Sequence, residues 1–196
     1  MSRCYRLSRP IRMMLAWYVK RQLTRFERTW DYDVSYMRQI LKDGGVRPLR
    51  ALDALTKIAT YSTGVPRATY HAAKITAAIQ ADCGPCAQLM VRMAERRGLD
   101  ERTLAALVRG TLDTLPPEVR LGAEFARATM ARDASGVAVR EEIVRRWGRR
   151  ALIPVAYGIL SANAYPILKY ALGYGDACRR IQVGGREIVT REVTLA

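Results

Sequence analysis

The sequence predicts an all-α helical bundle that ends in a small β-hairpin. Three observations lead there. Apolar residues recur every three or four positions through most of the chain. Proline and glycine bracket these segments, proline at the opening and glycine at the close. The last stretch, "RRIQVGGREIVTREV", alternates instead around Gly184-Gly185, which is the pattern of a hairpin. Composition agrees: 49% of the 196 residues are hydrophobic and 26% charged, so the chain is globular, and Phe is scarce beside Ala, Leu, Val and Met.

The elements follow in order. Residues 1–9 read as a basic tail. Pro10 opens an amphipathic basic helix in which Ile11, Leu15, Val19, Leu23, Phe26 and Trp30 recur every three or four residues, with Arg12, Lys20, Arg21, Arg25 and Arg28 between them. Asp33 is expected to cap a short helix stopping at Gly44-Gly45. Pro48 opens "PLRALDALTKIATYS", closed by Gly64, and Pro66 opens "PRATYHAAKITAAIQA". "CAQLMVRMAERRG" reads as helix up to Gly98, and Asp100 caps "ERTLAALVRG". Pro116-Pro117 starts "PPEVRLGAEFARATMA", residues 137–147 form the next helix, and a long apolar helix covers about 149–173. These elements group as a basic N-terminal extension (1–47), a helical core (48–175) and a hairpin tail (176–196). No repeat or low-complexity tract interrupts them.

The stretch 151–168, "ALIPVAYGILSANAYPIL", carries no charge and reaches the lower length limit for a membrane span. It also contains Pro154, Ser161, Asn163 and Pro166, so a buried core helix is the expectation. The net charge is +15, and the first fifty residues hold twelve Lys or Arg against four Asp or Glu. No nucleic-acid motif accompanies that charge, so nucleic acid is not expected as a partner. The basic helix is expected to pack on its own domain or on another subunit, with peripheral contact to a membrane as the alternative. Four cysteines are too few for a secreted disulfide framework, and the opening residues lack a signal peptide's cleavage site. A cytoplasmic location is therefore expected.

The chemistry concentrates in "ADCGPCAQLM", residues 81–90. If Asp82 caps a helix and Cys83 is its first residue, the helix's unpaired N–H groups favour a thiolate there. Pro85 removes an N–H that would have had no partner, and Cys86 lies almost one turn on, within reach for a disulfide. Asp82 and Gln88 give the pair polar flanks. A redox pair, a metal site and an inert buried pair are the three readings. Metal is disfavoured because the chain offers no second CxxC and only one histidine, His71. CGPC also occurs as the active tetrapeptide of thioredoxins, but their motif needs strands alternating with helices, and here helices flank it on both sides.

A helix ending just before CxxC, with the pair opening the next helix, resembles the alkyl hydroperoxidase D / carboxymuconolactone decarboxylase family over roughly residues 50–175. The stretch "ALIPVAYGILSANAYPILKYALGYG" is similar to the closing helix of a redox subgroup. The resemblance implies an alkyl hydroperoxidase D-like helical bundle, a homo-oligomer and a thiol or dithiol electron donor, with no cofactor. It also implies a peroxidatic and resolving pair at Cys83 and Cys86. The family's relay is altered: His71 stands where a Glu would be, Pro85 in place of an inner His, and Met90 in place of an outer His. His71 is the one remaining relay candidate. Thiol–disulfide exchange needs less acid–base help than peroxide cleavage, and it tolerates these departures better. The alternative class is a non-catalytic binding protein of the same fold, attached to a membrane, a nucleic acid or a partner through its basic N-terminal helix. Of the two cysteines, Cys83 is expected to be the more reactive. Cys178 is expected to be a plain buried cysteine and Cys4 to have no role.

Overall fold

A computed structural model describes residues 9–175 and 180–190, without the side chains of Arg9, Pro10 and Arg12. Cys4 and Cys178 lie outside the described residues. The described chain is helical apart from one hairpin: α1 (Arg9–Trp30), α2 (Ser35–Gly44), α3 (Val46–Thr60), α4 (Arg67–Gln80), α5 (Gly84–Glu95), α6 (Glu101–Arg109), α7 (Pro117–Ala131), α8 (Gly136–Trp147), α9 (Leu152–Ala171), then β1 (Arg180–Val183) and β2 (Arg186–Val189). The all-α bundle with a C-terminal hairpin is thus as expected. The chain divides into two compact units, Met1–Ala54 and Leu55–Ala196, and the division falls inside α3.

In the first unit, Arg38 of α2 grips Glu27 of α1 with both guanidinium nitrogens, at 2.9 and 2.6 Å. That hydrogen bonding holds the Glu27 carboxyl below its ordinary pKa. Phe26 meets the edge of Tyr32 at 6.0 Å. Asp33 does not cap α2. The N-cap position is Val34, and the Asp33 carboxylate takes the Ser35 N–H at 2.9 Å, closing an Asx turn one residue early. α3 begins at Val46 rather than Pro48, because a proline is tolerated within the first turn, where its missing N–H has no partner to lose.

The second unit is built around α4, which packs against α7, α9 and α5. Ten consecutive residues of α4, Thr69 to Ala78, are buried. A helix enclosed on every side needs small residues, and α4 carries five alanines between 68 and 78. Its neighbours contribute glycines at the crossings. A Cβ on Gly122 of α7 would overlap the Thr69 carbonyl, and one on Gly158 of α9 would press on the Lys74 stem and the Tyr70 ring. Thr69 Oγ1 donates to the Glu118 carbonyl at 2.9 Å across the α4–α7 crossing. At α6 both caps follow expectation: Asp100 accepts the Thr103 N–H at 2.8 Å, and Gly110 ends the helix in the left-handed conformation.

α9 is half a core helix. Val155, Gly158, Ile159, Ala162 and Pro166 are buried, whereas Ile153, Tyr157, Leu160 and Ile167 are exposed on the outer side. By length and composition alone the segment Arg149–Ala171 could cross a membrane. The hairpin pairs Arg180 with Val189 and Val183 with Arg186. Gly184 and Gly185 both have positive φ, as a two-residue turn between right-twisted strands requires. Ile181, Val183 and Ile188 are buried, and the strands pack on α5 and α6.

Candidate functional site

The connection from α4 to α5 is only Ala81–Cys83. α4 closes when Asp82 adopts a left-handed conformation at φ 49°, with its N–H bonded to the Ile79 carbonyl at 3.0 Å. Asp82 therefore does not cap α5. An N-cap residue needs extended backbone, and that position falls to Cys83, at φ −115° and ψ 91°. The Cys83 carbonyl accepts the first helical bond from the Ala87 N–H at 2.9 Å. Gly84, Pro85 and Cys86 are then the first three helical residues, one place later than the sequence suggested.

The two sulfurs lie at disulfide distance, and the Cα atoms are 5.3 Å apart. They sit at the N-terminal end of α5, where unpaired N–H groups and the helix dipole favour negative charge on a nearby sulfur. This tip of the helix is not exposed. Cys83 is 1% and Cys86 3% exposed, while Asp82 before them is exposed and Pro85 half-buried. Packing of α5 against α4 and α9 turns both side chains inward. The Tyr170 hydroxyl of α9 donates to the Asp82 carbonyl at 2.8 Å and fastens the turn that presents Cys83.

Gln88 is not a polar flank for the sulfurs. Its side-chain amide mimics a strand edge: Nε2 donates to the Gln182 carbonyl at 2.9 Å, and Oε1 accepts the Gln182 N–H at 2.6 Å. Glu95, at the far end of α5, accepts the Gly184 N–H at 3.0 Å. The hairpin is thus tied to the middle and to the C-terminal end of the cysteine-bearing helix. A hollow of about 360 Å³ lies there, lined among others by Arg92, Asp100 and Glu101, and neither cysteine borders it.

His71 is buried, and its Nδ1 has no hydrogen-bond partner. Burial, then the charges of Lys74, Arg97 and Arg67, push its pKa down to about 4. The imidazole is therefore neutral near pH 7. Nine residues separate it from the end of α4 at Gln80, which at the helical rise is about 13 Å along the axis. Arg97, just beyond the C-terminus of α5, is among the charges it feels, whereas the sulfurs occupy the opposite end. Met90 is buried on α5.

A second polar cluster, unforeseen from the sequence, also involves α4. Lys74 is buried, and its Nζ donates to the Ala59 carbonyl at 2.9 Å near the C-terminus of α3. The Tyr70 hydroxyl donates to the same oxygen. The Lys74 ammonium also lies 5.2 Å from the Tyr70 ring centroid. Burial lowers the Lys74 pKa to about 8 and raises that of Tyr70 to about 12. A lysine in a helical alanine run reads as a surface residue, so no sequence signal marks this one. Among the described residues, no three His, Cys, Asp or Glu side chains gather as a metal site.

Residues 47–132, α3 through α7 with the cysteine pair inside, match the model of the carboxymuconolactone decarboxylase family. This segment belongs to that family. The family covers alkyl hydroperoxidase D-like proteins, and the pair Cys83–Cys86 stands in the segment's centre. α8, α9 and the hairpin lie beyond the carboxymuconolactone decarboxylase match, as does α1 before it. No curated protein matches the chain, and no solved structure does.

Proposed function

We propose that the chain is a thiol–disulfide oxidoreductase working through Cys83 and Cys86. The observation behind this is the placement of two sulfurs at bonding distance on the N-terminal end of a helix. In the reduced form the Cys83 thiolate attacks one sulfur of a substrate disulfide, and the other sulfur leaves as a thiolate. The Cys86 thiolate then attacks Cys83, breaks the mixed disulfide and releases the second substrate thiol. Two electrons pass to the substrate, with the cysteine protons retained by the product thiols or released to water. A thiol or dithiol donor, consistent with a reducing cytoplasm, restores the pair.

Cys83 is the attacking thiol in this reading because it occupies the N-cap position, at the end of α5 where the first-turn N–H groups lack helical partners, although its side chain makes no capping hydrogen bond. His71 is neutral near pH 7 and lies toward the other end of α5 from the sulfurs, so it supplies them no acid. This weights the reading toward disulfide exchange over peroxide cleavage, which needs an acid for the leaving oxygen. The reading includes a homo-oligomer. Its support is the outer stripe of α9, where Ile153, Tyr157, Leu160 and Ile167 face outward at helical spacing.

The burial of both sulfurs favours a second reading, a structural disulfide in a binding protein. A thiol redox titration separates the two. The oxidoreductase requires a reversible two-electron midpoint within reach of cellular dithiols, abolished by Cys83→Ser. A bridge that no dithiol reduces in the folded protein overturns it. Limiting iodoacetamide on the reduced protein should label Cys83 first, and preferential labelling of Cys86 would reverse the assignment of roles.

A further inference from the structure

The outer face of α1 is unusual for a helix in a water-soluble unit. Ile11, Met13, Met14, Trp17 and Tyr18 are 47%, 67%, 70%, 60% and 54% exposed. At 100° per residue they fall in one arc roughly 160° wide. Leu15, Val19, Leu23, Phe26 and Trp30 occupy the opposite arc and are half-buried, so the helix is apolar on two sides along its N-terminal half. One turn further on, the outer arc becomes basic. Arg21, Arg25 and Arg28 continue it, all exposed, with Lys20 at its border. The Arg21 guanidinium lies 5.6 Å from the Trp17 ring centroid and joins the two halves.

We propose that this face docks on an anionic membrane surface. The flexible Met side chains and the Trp and Tyr rings enter the boundary between headgroups and acyl chains, and the three arginines meet lipid phosphates. Charge decides among the occupants. A second copy of the same face would either set two Arg21–Arg25–Arg28 rows against each other or, if antiparallel, lay each row on the other's apolar half, and neither pairing is complementary in a chain already at +15. A nucleic acid would satisfy the arginines and leave Ile11, Met13 and Met14 without an apolar partner. An anionic bilayer satisfies both halves. The inference is independent of the redox reading, since α1 lies outside the family segment and carries neither Cys83 nor Cys86.

The test is co-sedimentation of the full-length protein with phosphatidylcholine vesicles, with and without phosphatidylglycerol. Binding should need phosphatidylglycerol and weaken with salt. The variant Arg21→Gln/Arg25→Gln/Arg28→Gln should bind roughly a hundredfold more weakly, at about fivefold per arginine. Met14→Ser/Trp17→Ser should lose binding while keeping its circular dichroism and melting temperature, because the replaced side chains are exposed. Brominated lipids should quench the wild type more than Trp17→Ser. Failure to pellet with phosphatidylglycerol vesicles overturns the proposal, as does equal binding to phosphatidylcholine alone. A Met14→Ser/Trp17→Ser protein that changes only its oligomeric state assigns the face to a second copy. Retention on duplex DNA without vesicle binding assigns it to nucleic acid.

Discussion

The Tyr170 hydroxyl, on the last turns of α9, donates to the carbonyl of Asp82, the left-handed residue that immediately precedes Cys83. A residue outside the family segment thereby braces the turn that presents the candidate nucleophile. Tyr170→Phe keeps the ring and removes the bond. We expect a loss of about 0.5–1 kcal/mol in urea denaturation, since the tyrosine is partly exposed. Reduction of the Cys83–Cys86 bridge by dithiothreitol should also become faster. An unchanged reduction rate would separate the brace from the chemistry.

Gly122→Ala probes the α4–α7 crossing. The new Cβ would overlap the Thr69 carbonyl, which is backbone and cannot rotate away. The helices must move apart, at about 1–3 kcal/mol or more. Thermal denaturation checks this. A melting temperature equal to the wild type's would mean that α7 does not sit as close to α4 as described.

Gln88→Ala removes both side-chain bonds to the Gln182 backbone. The hairpin should loosen, and limited proteolysis should cut near Gly184-Gly185 sooner. The redox midpoint of the pair should stay where it was, because the Gln88 amide serves the hairpin and not the sulfurs.

His71 titrates at about 4 in the folded chain against 6.5 when free. Its pKa is depressed, so the unfolded state binds the proton first. The stability it contributes is complete above pH 6.5 and is lost as pH falls from there to about 4. The loss is on the order of 3 kcal/mol over that window. Urea midpoints of the wild type and His71→Leu, compared at pH 7.5 and 5, should show the wild type losing more. Equal losses would place His71 in water.

Lys74 works at the other end of the scale, with a folded pKa of about 8 against 10.5. Below pH 8 both states hold the proton, and the folded state bears the burial of the charge. Between pH 8 and 10 stability should rise as the folded state sheds it; above pH 10 the raised Tyr70 pKa opposes the gain. Lys74→Met fills the same space and should flatten the rise. At pH 7 it should be neutral or stabilising, since Tyr70 still donates to the Ala59 carbonyl. A wild type without the alkaline rise would contradict the burial.

Much of this architecture was legible from local chemistry. Proline openings, glycine closures, the Asp100 cap and the Gly184-Gly185 turn mark their elements because each satisfies its backbone within a few residues. The sequence also brought Cys83 and Cys86 together, since three residues on a helix start leave the sulfurs within one turn. At the start of α5 local reasoning missed by one place: Asp82 suits an N-cap by residue type, but it closes α4, and the cap position falls to Cys83.

By itself, then, the sequence determined an all-α chain with a hairpin tail, a paired CxxC at a helix start and a basic amphipathic helix before them. Each depends on residues within about one turn of one another. Tertiary structure alone decided that the sulfurs are buried, that His71 is neutral and lies toward the other end of α5, that Lys74 is enclosed, and that Tyr170 holds the turn. Desolvation and long-range hydrogen bonds depend on which distant segments pack together, and Asp82 and Tyr170, 88 positions apart, meet only when α9 folds back across the core.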